Sequence, residues 1–164
     1  MEMLSIKKVF LIVVLMSMSL QADIFLQGSK GLGIKLGSAS IGSENYTIAG
    51  LSANYFVVDG LSVGLGYEKW FSGTPDISKL TLESTYYIKA NEDLRPYVGL
   101  FYRRMFISSD LFDDINSYGT KAGLAFMQDR LLLGAGLVYE KYDSNQRLFN
   151  DSQTYLELTV GFMF

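Results

Sequence analysis

The chain has 164 residues, no His and no Cys, and a formal net charge of −3 from 14 Lys and Arg against 17 Asp and Glu. The lack of His and Cys excludes Ser-His and Cys-His nucleophiles, the usual zinc sites and a disulfide framework. Basic residues are not clustered, which argues against nucleic acid as a partner. We therefore expect a protein that is not an enzyme and uses neither a cofactor nor a metal.

The start of the chain has the pattern of a secretory signal peptide. Lys7 and Lys8 precede an apolar run over residues 9–20, and Gln21-Ala22-Asp23 follows it. The apolar run of about 12 residues is too short for a transmembrane helix, which needs about 20. We expect cleavage after Ala22, so that residues 1–22 are the signal peptide and residues 23–164 form one mature domain.

From residue 29 onward, apolar side chains alternate with small or polar ones, which is the period of a β-strand. The alternation divides the chain into eight predicted strands, at about 29–37, 46–56, 61–70, 79–90, 95–105, 118–127, 131–142 and 155–164. Asp59-Gly60, between the second and third segments, is a strong hairpin signal. Pro96 lies at the first position of the fifth strand, where its missing N–H does the least harm.

The last predicted strand has one wholly apolar face and one mixed face. The apolar face consists of Leu156, Leu158, Val160, Phe162 and Phe164. The opposite face carries Tyr155, Glu157, Thr159, Gly161 and Met163. An exposed terminal Phe is unusual for a soluble protein, because termini usually fray into water. The pattern fits a strand between lipid and a polar lumen; the alternative is the closing strand of a periplasmic sandwich.

The predicted connections fall into two classes of length. Those after the second, fourth and sixth strands are short, whereas the longer ones cover residues 38–44, 71–78, 106–117 and 143–152. Alternating short and long connections are typical of a membrane barrel with its short turns in the periplasm. Segments of about nine to eleven residues also suit strands that cross the bilayer at a tilt. We therefore predict an all-β, eight-stranded, antiparallel transmembrane barrel with up-and-down connections.

The chain resembles the small eight-stranded outer-membrane barrels of the OmpX type and of the OmpA transmembrane domain. The residues that carry this resemblance are Phe162 and Phe164 at the end of the last strand, and Gly-aromatic strands such as residues 96–102. The resemblance implies location in the outer membrane of a Gram-negative bacterium, a monomer, and contact with membrane lipids and lipopolysaccharide. It also implies that Phe162 and Phe164 are the assembly signal for the barrel assembly machinery, after escort by periplasmic chaperones.

Seven charged residues fall on the face that also carries the glycines, most of them near mid-height in the predicted strands. They are Lys35, Glu68, Glu83, Arg103, Lys121, Glu140 and Glu157. Facing lipid, a Lys or Arg at that depth would cost roughly 2–4 kcal/mol, so we expect them to point into the lumen. The pairs expected there are Lys35 with Glu157, Glu83 with Arg103, and Lys121 with Glu140. Such a belt is either a satisfied polar core that plugs the lumen or a path for protons or ions.

Aromatic residues gather near both ends of the predicted strands, as in the two girdles that flank a membrane. The girdle expected near the longer loops comprises Tyr46, Tyr67, Trp70, Phe71, Tyr102, Tyr118, Tyr139 and Tyr142. The opposite girdle comprises Tyr55, Phe56, Tyr86, Phe126 and Phe164. In the loop at residues 110–114, acidic residues offer oxygen ligands for Ca²⁺ but lack the spacing of a known calcium loop.

Three functions remain open at this point. The first is a non-enzymatic structural or surface-interaction barrel with a plugged lumen. The second is a narrow channel or carrier for small or hydrophobic solutes, and the third, less favoured, is a lipid-modifying enzyme. The outer-membrane enzymes of similar size depend on a His, which this sequence lacks.

Overall fold

The computed structural model describes residues 25–41, 44–73, 75–91, 93–108, 114–143 and 151–164, and these form a closed antiparallel barrel of eight strands. The strands follow chain order around the barrel: β1 (Lys30–Ile41), β2 (Glu44–Val58), β3 (Leu61–Phe71), β4 (Asp76–Tyr87), β5 (Leu94–Ser108), β6 (Ile115–Gln128), β7 (Leu131–Asp143) and β8 (Ser152–Met163). The predicted fold class is confirmed. The predicted signal peptide, residues 1–22, lies outside the described residues.

The alternation of side chains places the large apolar residues on the outside of the barrel. Leu51, Leu100 and Leu156 are each more than 60% exposed. Inward positions on the same strands carry small, polar or charged residues, such as Ser52 on β2 and Arg103 on β5, both of which are buried. This arrangement is the inverse of a water-soluble sheet and suits an apolar surrounding. Across the described ranges, no helix is long and apolar enough to cross a membrane.

We call the end of the barrel that holds the β1–β2, β3–β4, β5–β6 and β7–β8 connections the distal end. At this end the strands are longer than the sequence pattern predicts. The predicted loop at residues 38–44 is wrong, because Ser38 pairs with Thr47 and the ladder continues to Ile41 and Glu44. The predicted loops at 71–78 and 106–117 are likewise too long, because β3 continues to Phe71, β4 begins at Asp76, β5 continues to Ser108 and β6 begins at Ile115. Polar residues can extend a hairpin because backbone hydrogen bonds between the two strands form whether or not the side chains are apolar.

The opposite end, the terminal end, holds the β2–β3, β4–β5 and β6–β7 connections together with Phe25 and Phe164. Asp59-Gly60 joins β2 to β3 as predicted, with Gly60 at φ 77°. The barrel closes here through the pairing of Gly31–Ile34 with Val160–Met163. Reciprocal backbone hydrogen bonds of 2.7 and 2.8 Å between Lys30 and Phe164 extend this seam by one pair.

The β1–β8 seam is the shortest ladder of the barrel. Among the described residues it stops at Ile34 and Val160, although β1 remains paired with β2 as far as Ile41. On the other side, β8 remains paired with β7 as far as Ser152. Closure of the barrel therefore depends on the residues nearest the terminal end.

Candidate functional site in the barrel interior

The interior is filled by three layers of side chains, which together form the candidate site. The terminal cluster is an apolar group at the terminal end, formed by Phe25, Phe56, Tyr97, Ala125, Met127, Leu132 and Met163 with Tyr87 packed against it. The distal cluster is its counterpart at the distal end, formed by Tyr46, Trp70, Ile77, Met105, Ile107, Ile115 and Tyr142 with Ile48. Between them lies the charged layer, which contains all seven predicted interior charges.

Small residues make room for the long side chains of the interior. A Cβ atom on Gly123 would lie 2.7 Å from the hydroxyl oxygen of Tyr97, and one on Gly136 would meet the same hydroxyl. These two glycines face each other on β6 and β7. The paired glycines therefore accommodate an aromatic side chain that crosses the bore.

Arg103 and Glu140 form the most buried ion pair of the charged layer. Arg103 Nη1 lies 3.0 Å from Glu140 Oε2, and the two side chains are 4% and 0% exposed. Other polar atoms of the pair also have partners: Arg103 Nε donates to Thr81, and Ser117 donates to Glu140 over 2.6 Å. The Tyr155 hydroxyl accepts from Arg103 and donates to Glu140. A buried pair held by this many hydrogen bonds is fixed in one geometry.

The other charged residues form two further groups. Lys35 Nζ lies 3.2 Å from Glu157 Oε2, as expected from the sequence, and 3.6 Å from Glu68 Oε1. Lys121 Nζ lies 2.8 Å from Glu83 Oε2.

The predicted pairs Glu83 with Arg103 and Lys121 with Glu140 are therefore wrong. In a narrow bore, long side chains reach past the adjacent strand. Arg103 on β5 meets Glu140 on β7, and Lys121 on β6 meets Glu83 on β4.

Lys79 is an eighth interior charge, in addition to the seven predicted from the sequence. It is 2% exposed, and its Nζ lies 4.3 Å from the centroid of the Trp70 ring. It lies two residues before the inward-facing Thr81, so the alternation itself contained the signal. With Lys79, the cations Lys35, Arg103 and Lys121 balance the four carboxylates of the charged layer, which leaves the layer without net charge.

The terminal cluster includes a segment that precedes the first strand. Phe25 is 2% exposed and packs edge-on against Phe56 at 5.6 Å between ring centroids. The Arg95 guanidinium lies 4.4 Å from the Phe25 ring centroid, in cation–π geometry. The backbone is held as well, since Gly60 N donates to Phe25 O over 2.7 Å. Residues 25–29 therefore close the terminal end, a feature that no periodicity in the sequence indicates.

The distal cluster corrects part of the predicted aromatic girdles. Tyr46, Trp70, Tyr142 and, at the terminal end, Phe56 are all buried inside the barrel. They share the inward phase of their strands, whereas the predicted girdles follow from height along the strands alone. The predicted girdle residues that do face outward near the distal end are Tyr67, Phe71, Tyr102, Tyr118 and Tyr139; those near the terminal end are Tyr55, Tyr86 and Phe126.

A small cavity lies between the charged layer and the terminal cluster. Its volume is about 30 Å³, and it is lined by Lys35, Glu83, Lys121 and Glu157 among others. That volume holds one or two water molecules. Among the described residues, no three His, Cys, Asp or Glu side chains gather as a metal site. The loop considered for calcium lies outside the described residues, except for Asp114.

Comparison with known proteins gives a match in structure but not in sequence. No family model and no curated protein matches the chain. The N-terminal β-barrel domain of Pseudomonas aeruginosa OprF superposes with a TM-score of 0.63 at 20% identity, covering 84% of this chain and 98% of that domain. Neisserial surface protein A superposes with a TM-score of 0.54 at 18% identity, covering 82% and 92%.

The Yersinia pestis outer membrane protein Ail, in a phospholipid bilayer nanodisc, superposes with a TM-score of 0.53 at 16% identity over 84% of this chain and all of that one. These structural similarities agree with the outward apolar surface and with the closure of eight strands in chain order described above. The chain therefore has the fold of the small eight-stranded outer-membrane β-barrels.

Proposed function

We propose that the chain is a protein of the outer membrane of a Gram-negative bacterium, with the terminal end in the periplasm and the distal end outside. Support comes from the outward apolar band, bordered at both ends by exposed tyrosines. A barrel is one of two structures that satisfy every backbone group in lipid. The similar solved structures include proteins whose names place them at the surface or in the outer membrane.

The proposed role is structural or surface-interacting, without enzymatic activity and without conduction through the lumen. The observation that carries this proposal is the filled interior. The charged layer, in which cations and carboxylates are equal in number, lies between two apolar clusters beside a cavity of about 30 Å³. An eight-stranded barrel is only wide enough for its own side chains. The surfaces left for function are therefore the outer wall and the distal hairpins.

Two measurements test this proposal. Membrane fractionation of cells that express the full chain should place the protein in the outer membrane, in a form that migrates differently on gels before and after heating. Proteoliposomes that contain the purified barrel should retain small sugars as protein-free liposomes do. Rapid, selective uptake of small or apolar solutes would favour the channel or carrier, and recovery in a soluble periplasmic fraction would contradict the proposal as a whole.

A further inference from the structure

A repeated sequence pattern on alternate strands places cations on the outer wall near the distal end. The pattern is an outward Tyr, an inward charged residue and an outward cation. It occurs on β3, β5 and β7 as Tyr67-Glu68-Lys69, Tyr102-Arg103-Arg104 and Tyr139-Glu140-Lys141. The inward members belong to the charged layer. The outward members of the repeat have no part in the closed interior.

The three outward cations lie at a common height on the barrel. Tyr67 on β3 pairs with Leu80 on β4, and Leu80 pairs with Arg104 on β5. Across two ladders, Arg104 is therefore in register with the tyrosine of the previous repeat, two residues before Lys69. Tyr102 pairs with Tyr118 and Tyr118 with Lys141, which gives the same offset again. Because the strands of a barrel are tilted, residues at the same height are offset in register by a constant amount from strand to strand. Lys69, Arg104 and Lys141 therefore form one band, which we call the cation band.

The cation band lies where the apolar outer wall ends. Leu65, Leu100 and Leu137 precede the three tyrosines on the outward face and are all well exposed. Closer to the distal end than these leucines, the guanidinium of Arg104 lies 5.3 Å from the Phe106 ring centroid, and Lys69 Nζ lies 6.0 Å from the Phe71 ring centroid. Lys and Arg at such a boundary extend their charge toward lipid headgroups while their stems cover apolar surface.

An acidic residue also lies close to the band. Arg104 Nη2 lies 3.1 Å from Asp114 Oδ2, with the two side chains 53% and 37% exposed. An exposed pair of this kind contributes little stability and exchanges readily with another anion. A phosphate that can accept bidentate hydrogen bonds from the guanidinium is such an anion.

A groove on the outer wall lies directly below part of the band. It has a volume of about 460 Å³ and is lined on the outward face by Leu100, Ala122, Leu137 and Tyr139. Tyr139 is two residues below Lys141 on the same face of β7. A single amphiphile could thus place an acyl chain in the groove and an anionic headgroup at Lys141 and Arg104.

From these observations we infer that the cation band and the groove bind the phosphates and one acyl chain of lipopolysaccharide, the phosphorylated glycolipid of the outer leaflet. This inference rests on the proposed orientation in the outer membrane. It assigns the surface interaction to the wall of the barrel at headgroup level. The chemistry that recognises the ligand is phosphate on clustered cations next to an apolar groove.

The test uses the purified full-length barrel in nanodiscs of zwitterionic phospholipid, with three probes: bisphosphorylated lipid A, dephosphorylated lipid A and phosphatidylglycerol. The distal variant combines Lys69→Gln, Arg104→Gln and Lys141→Gln. The matched control removes the same charge at the terminal end through Lys30→Gln, Lys89→Gln and Arg130→Gln. Heat-modifiable migration establishes that each variant is folded.

Bisphosphorylated lipid A should bind the wild type and the control equally, and the distal variant about tenfold or more weakly, because each cation near an anionic headgroup contributes roughly fivefold in affinity. Wild-type binding should fall to a similar degree with dephosphorylated lipid A, and phosphatidylglycerol should bind more weakly. Ala122→Phe, which fills the groove without changing charge, should also weaken binding.

Equal wild-type affinity for the two forms of lipid A would overturn the inference, and that comparison requires no variant. Unchanged binding by the folded distal variant would overturn it as well, and preference for phosphatidylglycerol would assign the site to phospholipid. If the wild type is absent from the outer membrane of cells, the proposed function fails instead, whatever the outcome in nanodiscs.

Discussion

Arg103 and Glu140 face each other inside the barrel from strands that are not neighbours, with Arg103 Nη1 3.0 Å from Glu140 Oε2 and both side chains almost completely buried. The pair joins β5 to β7 across β6, and Tyr155 connects both partners to β8. Interactions of this buried pair therefore connect β5, β7 and β8. In the proposed function, the pair contributes to closing the bore at the charged layer.

Arg103→Ala should lower the free energy of unfolding by roughly 3–5 kcal/mol, because Glu140 would remain buried without its ion-pair partner. Urea unfolding in lipid vesicles, followed by the fluorescence of the only tryptophan, Trp70, measures this change. Adding Glu140→Ala should recover part of the loss.

The matched control for this cycle is Glu83→Ala, since Glu83 pairs with Lys121 and not with Arg103. Adding Glu83→Ala to Arg103→Ala should recover nothing. A larger recovery with Glu83→Ala than with Glu140→Ala would mean that the pairs within the charged layer are arranged differently.

Phe25→Ala should destabilise the barrel by roughly 3–5 kcal/mol, the usual cost of truncating a fully buried Phe. Phe25 contacts Phe56, Tyr87 and Arg95 in the terminal cluster. Its neighbour Leu26 is 39% exposed, so Leu26→Ala should change the free energy of unfolding by less than about 1 kcal/mol. Equal effects of the two substitutions in the same unfolding assay would show that residues 25–29 do not close the terminal end.

The β1–β8 seam offers a chemical test of closure in a chain that has no Cys of its own. Gly31 and Met163 are directly opposite each other, and the side chain that a Cβ on Gly31 would meet first is that of Met163 itself. Gly31→Cys with Met163→Cys should therefore form a disulfide that links β1 to β8 in the folded barrel and makes it more resistant to unfolding by heat. Free thiols in the folded protein under mild oxidation would contradict the register of the seam.

Phe164 should matter to assembly through its ring and to closure through its backbone. Its N–H and C=O both bond to Lys30. Phe164→Ala retains these bonds and removes the proposed recognition signal, so it should lower the amount of barrel in the outer membrane while leaving the free energy of unfolding of the purified barrel little changed. Immunoblots of membrane fractions measure the first quantity. Normal outer-membrane levels with Phe164→Ala would argue against a signal in this ring.

The phase of each strand could be predicted from the sequence because the outward positions are mostly apolar, whereas the inward positions near mid-height are small, polar or charged. The same phase places Trp70 beside Glu68 on the inner face, and Lys79 beside Thr81. Partner choice could not be predicted. It depends on strand stagger and on how far a side chain such as Arg103 reaches across the bore.

The seam and the segment around Phe25 were also beyond prediction from sequence. The position at which the β1–β8 ladder ends follows from the closure geometry of all eight strands, not from the residues of β1 or β8. Phe25 lies before the first alternating segment, so no period marks it as inward. Its burial follows from the aromatic and cationic side chains that the barrel gathers at the terminal end.

The central claim is that the interior is closed, and single-channel recording in planar lipid bilayers tests it most directly. Purified wild-type barrel should insert without measurable conductance under conditions in which a wide porin, added as a positive control, gives clear steps. This expectation rests on the charged layer and the two apolar clusters, which occupy the bore, and on the cavity of about 30 Å³ beside the terminal cluster. Large, stable, ion-selective currents from the wild-type protein would contradict this account and make the barrel a channel.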